Sequence, residues 1–179
     1  FTKYRYPSAL ELSPDGRYLT FALKEVDREG DGYRWNLWLY DLESRESRQI
    51  TRGDHQRQAV WEDNTHILYK TTELDEAMRA RGFEEEWTVY HRLNVCTGEE
   101  SEAFRLPMSV SGLWKMDEGR YVFTGETHLD RPNLLELTGE ALEKELVRRQ
   151  QTKGYKVLTE LPLCENGVGM FNQTRITLF

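Results

Sequence analysis

The sequence predicts an all-β chain, a partial β-propeller, and three observations predict it. The first is a repeat: the strand, turn and strand of Leu12-Ser13-Pro14-Asp15-Gly16-Arg17-Tyr18-Leu19-Thr20-Phe21 return in weaker form along the chain. Aligning the second strand of each copy sets Tyr18 opposite His66, Tyr121 and Ile176, at spacings of 48, 55 and 55 residues. A period that long belongs to a propeller blade and not to a helical hairpin. The second is patterning. Leu19, Phe21 and Leu23 point one way and Tyr18, Thr20 and Ala22 the other, because side chains alternate along a strand. Such a sheet carries apolar bulk on both faces and needs cover on both, which stacked blades supply. The third is composition, since five Trp and nine Tyr suit strands better than a helical bundle.

In the first unit, strands are expected over residues 9–12, 18–24, 36–41 and 47–50, with Pro14-Asp15-Gly16 as the first turn. The second unit has strands at 58–61, 67–69, 87–90 and 101–106 and a turn at Asp63-Asn64. Its middle is interrupted by a helix expected over 73–81, capped by Thr72 with Asp75 as the capping-box acid and ending at Gly82. The third unit uses 112–116, the turn Asp117-Glu118-Gly119, then 121–124, 133–137 and 155–161. A second helix is expected over 139–151, where Leu142, Leu146 and Val147 share a face and Arg148 and Arg149 sit favourably near the helix end. Residues 167–171 and 175–179 read as the first two strands of a fourth unit. The expected blades are therefore 7–52, 57–107, 111–162 and the start of a fourth at 166–179. That makes about three and a half four-stranded antiparallel blades with two short helical insertions. Closed propellers have about four to eight blades, so the chain is expected to be a fragment of one longer propeller domain.

Charge and cysteine usage exclude several classes of function. A net charge of -7 opposes attraction to nucleic-acid phosphates or anionic lipid, so neither partner is expected. No apolar run approaches membrane-spanning length. Cys96 and Cys164 stand 68 residues apart with no CxxC or Cys/His cluster, which suggests neither a disulfide framework nor a zinc site. A reducing cytoplasm is the expected compartment.

Candidate motifs fall to plainer readings. Asp27, Glu29, Asp31 and Gly32 open like a calcium loop, but the twelfth position is Trp38, which cannot give the closing carboxylate, and strands flank the segment. A polar hairpin loop is expected, with no metal. His55, His66, His91 and His128 lack any spacing that would bring two imidazoles onto one ion. Gly167-Val168-Gly169 lacks the third glycine and the helix of a dinucleotide fingerprint. No G-x-S-x-G turn presents a nucleophilic serine. No catalytic set and no cofactor are expected. Glu84, Glu85 and Glu86, just before Trp87, are the weak substrate-binding candidates, because paired carboxylates grip a cationic amine through charge-assisted hydrogen bonds.

LSPDGRYLTFAL, NLWLYDLESRESRQIT, its degenerate second copy YHRLNVCTGE, and YKVLTELPLCENGVGMFNQTRITLF together resemble the amino-terminal propeller of the prolyl oligopeptidase family of serine peptidases. That family includes acylaminoacyl and dipeptidyl peptidases, and Tol-B-like propellers share the pattern. The resemblance implies that the propeller covers an α/β-hydrolase domain lying later in the parent protein and admits only short peptides. It also implies that Glu84 to Glu86 are the residues to compare with the paired glutamates that hold a substrate amino terminus in dipeptidyl peptidases. The expected function is a noncatalytic segment that gates and positions peptides for that domain, partnered by it and by the remaining blades. The alternative is a Tol-B or WD-type propeller that serves as a protein-interaction scaffold without catalysis. A propeller enzyme acting on sugars would need channel-facing His or acid ligands from several blades, which the scattered histidines do not supply.

Overall fold

Apolar residues at alternate positions of the inner strands build the sheets, and the turns at Asp15, Asp41, Asp63 and Asn94 are closed by polar side chains that accept from backbone N–H groups. The computed structural model describes residues 4–27, 30–71, 87–117, 119–128, 131–152, 163–165, 169–171 and 174–179. Strands β1 (Tyr6–Leu12), β2 (Tyr18–Asp27), β3 (Gly32–Asp41) and β4 (Glu46–Gln49) form one four-stranded sheet in the order β1-β2-β3-β4. Strands β5 (Ala59–Trp61), β6 (His66–Thr71), β7 (Thr88–Asn94) and β8 (Glu100–Leu106) form a second in the same consecutive order. In the first sheet β2 and β3 pair antiparallel without slippage from Tyr18↔Asp41 to Asp27↔Gly32. β1 pairs with β2 through a register shift between Ser8 and Glu11, where Ala9 has a φ of 50°. Gly16 closes the hairpin at a φ of 72°, a conformation that costs an L side chain steric energy and a glycine none.

The chain divides into two compact units. The first contains β1 to β7, most of β8, and residues 114–121. Its core is a seam between the two four-stranded sheets: Ala22, Leu37 and Leu39 from the first meet Ala59, Trp61, Ile67, Tyr69, Leu93 and the neighbouring Val95 from the second. Tyr18 stacks on Trp61 with ring centroids 6.5 Å apart and planes 14° from parallel. Hydrogen bonds stitch the seam as well. The Trp61 indole Nε1 donates to the Glu11 carbonyl at 3.2 Å, and the Arg48 guanidinium donates to the Val95 carbonyl. Full burial of one Leu or Ile stabilises by about 1.5–3 kcal/mol, so Leu37 and Ile67, both without exposed surface, make this seam the main source of cohesion in the unit.

The second unit contains residues 106–113 and 122–128, helix α1 (Gly139–Thr152) and strands β11 (Leu163–Glu165), β12 (Gly169–Phe171) and β13 (Thr174–Leu178). β11 and β12 form an antiparallel pair. The third sheet has the order β13-β10-β9, with β9 at Val110–Asp117 and β10 at Arg120–His128. Two sequence expectations change here. Residues 133–137, expected as a strand, include a single turn of 3-10 helix at Leu134–Glu136, because the Asn133 side chain caps it by accepting from the Leu135 N–H. Leu134 is thereby buried against Leu146, with Trp87, Leu137 and Leu142 around them. Residues 175–179, expected in a fourth unit, lie against β10 instead, from Thr124↔Leu178 to His128↔Thr174. With no strand at 133–137 to pair it, the edge of β10 is open, and β13 satisfies its backbone groups.

Helix α1 forms where expected, but its buried face differs. Leu142, Glu145, Leu146 and Arg149 follow the helical i, i+3, i+4, i+7 spacing, whereas Val147 is 43% exposed. The helix expected over 73–81 and the strand expected over 155–161 lie outside the described residues. No helix among the described residues is long and apolar enough to cross a membrane.

Candidate functional site

The strands of the first unit run up and down, so its two ends are built from different connections. One end carries the tight turns, and their polar side chains are consumed by backbone. Asp15 accepts from the Ser13 hydroxyl at 2.6 Å and the Arg17 N–H at 3.1 Å. Asp41 accepts from the N–H groups of Glu43 and Ser44 at 2.8 and 3.2 Å. Asn94 does the same for Cys96 and Thr97. Burial alone would raise the Asp63 carboxyl, yet the N–H groups of Thr65 and His66, with their side chains, hold it at about 2. Carboxylates locked this firmly as anions in turns are structural and poorly suited to proton transfer.

At the opposite end meet the β2–β3 hairpin, the crossover of residues 50–58, and the ends of β6 and β7. Here cationic and aromatic side chains stand among the acids Asp27, Asp31 and Asp54. Lys24 and Trp35 are register partners on the same face as Ala22 and Leu37, so they continue the inter-sheet seam beyond its apolar core. Lys24 Nζ lies 3.7 Å from the Tyr33 ring centroid and 5.3 Å from that of Trp35. The Arg57 guanidinium lies 4.1 Å from the same Trp35 centroid. Trp35 is fixed by backbone: its N–H donates to the Asp54 carbonyl at 2.9 Å, and its carbonyl accepts from the Gln56 N–H at 3.0 Å. The neighbouring Asn36 and Asp54 bond reciprocally, Nδ2 to Oδ1 at 2.9 Å and backbone N–H to Oδ1 at 3.1 Å. Lys70 is held below its ordinary value by burial and then by the charge of Arg57. Among the described residues neither Lys24 nor Arg57 is in an ion pair.

The candidates from sequence fare differently. Glu84, Glu85 and Glu86 lie outside the described residues, as does Glu29. Asp27 faces Gly32 across the hairpin, and Asp31 has a φ of 50° in its turn. Among the described residues no group of three or more His, Cys, Asp or Glu could hold a metal ion. The histidines have local roles: His55 bridges Trp35 through backbone, His66 contacts Asp63 at 2.9 Å, and His91 shares Glu100 with the Tyr69 hydroxyl. His128 pairs with Thr174 in the third sheet.

Glu62 was not legible in the sequence. Its carboxylate accepts two hydrogen bonds from Arg92, the Nη2 contact at 2.8 Å, and one from the Tyr121 hydroxyl at 2.5 Å. Lys115 donates to its carbonyl. The node ties β5 and β7 to the strands that follow. The one signal that pointed to it was an arginine, Arg92, within the apolar run of β7, and a single sequence does not say which acid it meets.

No family model and no curated protein matches the sequence. Solved structures do. The uncomplexed acylaminoacyl peptidase of Pyrococcus horikoshii aligns with a TM-score of 0.63 at 10% identity, over 99% of this chain and 23% of that one. The β-propeller domain of the Trilobed protease from Pyrococcus furiosus, described as having an open velcro topology, aligns with a TM-score of 0.51 at 13% identity, over 69% of this chain and 35% of that one. The fold is that of a stretch of β-propeller. The AtxE2 isopeptidase in its apo form aligns as well, with a TM-score of 0.54 at 14% identity, over 97% of this chain and 27% of that one. This propeller stretch spans 35% or less of each of these three solved chains.

Proposed function

We propose that the chain is a noncatalytic propeller segment of a serine peptidase of the prolyl oligopeptidase family, which gates and positions short peptides for an α/β-hydrolase domain of the same parent protein. The observation that carries the reading is the seam: two consecutive four-stranded antiparallel sheets packed face to face, in a fold shared with the propellers of peptidases. A wall built this way excludes by shape, since close-packed sheets resist opening. Positioning a peptide near a nucleophile supplied elsewhere accelerates its attack without any chemistry in the wall itself. The absence of a G-x-S-x-G turn from the 179 residues agrees with a supporting role. In this reading the first two blades are 7–52 and 57–107, a third includes the sheet of β9, β10 and β13, further blades come from the parent protein, and the compartment is cytoplasmic.

The natural reading frame that contains this chain tests the proposal. Its product should cleave short chromogenic peptides and spare a folded protein, and a fluorophosphonate should label a serine outside residues 1–179. A natural product that takes no label and contains no G-x-S-x-G would overturn the peptidase reading and leave a scaffold.

A further inference from the structure

The cationic and aromatic end of the seam is not explained by packing. Two cations over one indole repel each other, and stacking on a ring returns only about 0.5–1 kcal/mol at an exposed site. Among the described residues, two of the acids at this end have other partners: Asp54 bonds Asn36, and Glu25, on the opposite face of β2, bonds Arg5 at 2.6 Å. Trp35 is mounted on backbone held by the 54–56 crossover, and Tyr33, the register partner of Val26, is half exposed. Lys24 and Arg57 thus both lie against the Trp35 ring, outside any ion pair among the described residues, beside the half-exposed Tyr33.

We propose that Lys24, Arg57, Tyr33 and Trp35 form a binding site for a carboxylate carried next to an apolar group, as at the carboxyl terminus or an acidic side chain of a peptide. The ammonium and guanidinium supply charge-assisted hydrogen bonds to the two oxygens, and the rings take the adjoining apolar side chain. The lowered pKa of Lys70, caused by burial first and then by the charge of Arg57, fits a positive field that an anion would relieve. The identity of the ligand as a peptide rests on the proposed function; the carboxylate chemistry does not.

The test is a titration of the full chain followed by NMR of the Trp35 indole N–H, with acetyl-Ala-Phe as free acid, the same peptide amidated, and amidated acetyl-Ala-Glu. The free acid should bind saturably and lose affinity as salt rises, the Glu peptide reporting whether a side-chain carboxylate is also accepted. Lys24→Met and Arg57→Met should each weaken the acid by about tenfold and leave the amidated Ala-Phe peptide unchanged. Arg34→Met, on the other face of β3, should leave both unchanged. Equal binding of acid and amide, an acid affinity untouched by either variant, or no shift at millimolar peptide would overturn the site and leave Lys24 and Arg57 as stems covering the rings. Hydrolysis by the parent protein is a separate readout: binding here with no hydrolysis there would remove the peptidase reading and keep the site.

Discussion

Glu62 shows how much one side chain can fix. Burial alone would raise its carboxyl, but the hydrogen bonds from Arg92 and Tyr121 outweigh that and hold it below its ordinary value. Tyr121 is in turn pushed up to about 12, by burial first and then by its bond to Glu62. A carboxyl depressed in the folded state stabilises the fold above its unfolded value, about 4.3 for Glu, and that contribution is lost as pH falls through the folded value. Glu62→Gln should therefore lower stability by about 1–2 kcal/mol at neutral pH, with a narrower gap between wild type and variant at acid pH than at neutral pH. Denaturant titrations at the two pH values check this, and an equal gap at both would show that the charge of Glu62 contributes nothing.

At the scale of elements, α1 turns on a buried ion pair. Arg149 donates to Glu145 at 3.0 Å and to the Pro132 carbonyl at 2.7 Å, which ties the helix to the segment leading into the 3-10 turn. Arg148 also bonds Glu145, through two contacts of 2.7 Å, but its side chain is half exposed. Arg149→Ala should thus cost about 1–3 kcal/mol and Arg148→Ala less than about 1 kcal/mol, read as loss of helical circular dichroism on heating. Equal losses would contradict the assignment of Arg149 as the anchor. The same region marks where sequence reasoning stops. The hairpin of β1 and β2 was legible because Pro14-Asp15-Gly16 and the alternation after Tyr18 agree on one answer. Residues 133–137 were not, since Asn133, Leu134 and Leu137 suit a short strand as well as a capped turn. Only the pocket around Leu146 decides between them. Val147 was assigned to the buried face for the same reason: it neighbours Leu146 in sequence, and helix rotation carries it outward.

At the scale of the whole molecule, the period of the repeat was legible, and the two complete sheets follow it closely. Partner choice beyond them was not, because the pairing of β13 with β10 joins residues some 50 positions apart and is set by which edge is left open. The carboxylate site was invisible for a related cause: Lys24, Tyr33, Trp35 and Arg57 come from three elements, and only the antiparallel register of β2 and β3 and the crossover bring them together. All of this depends on the two sheets of the first unit packing face to face. The most direct measurement is a nuclear Overhauser experiment on the full chain, read at Tyr18 and Trp61. Cross-peaks between these two rings, with a slowly exchanging Trp61 indole N–H held by the Glu11 carbonyl, are predicted. Intact ladders within each sheet, with no Tyr18 to Trp61 cross-peak and a freely exchanging indole, would contradict it.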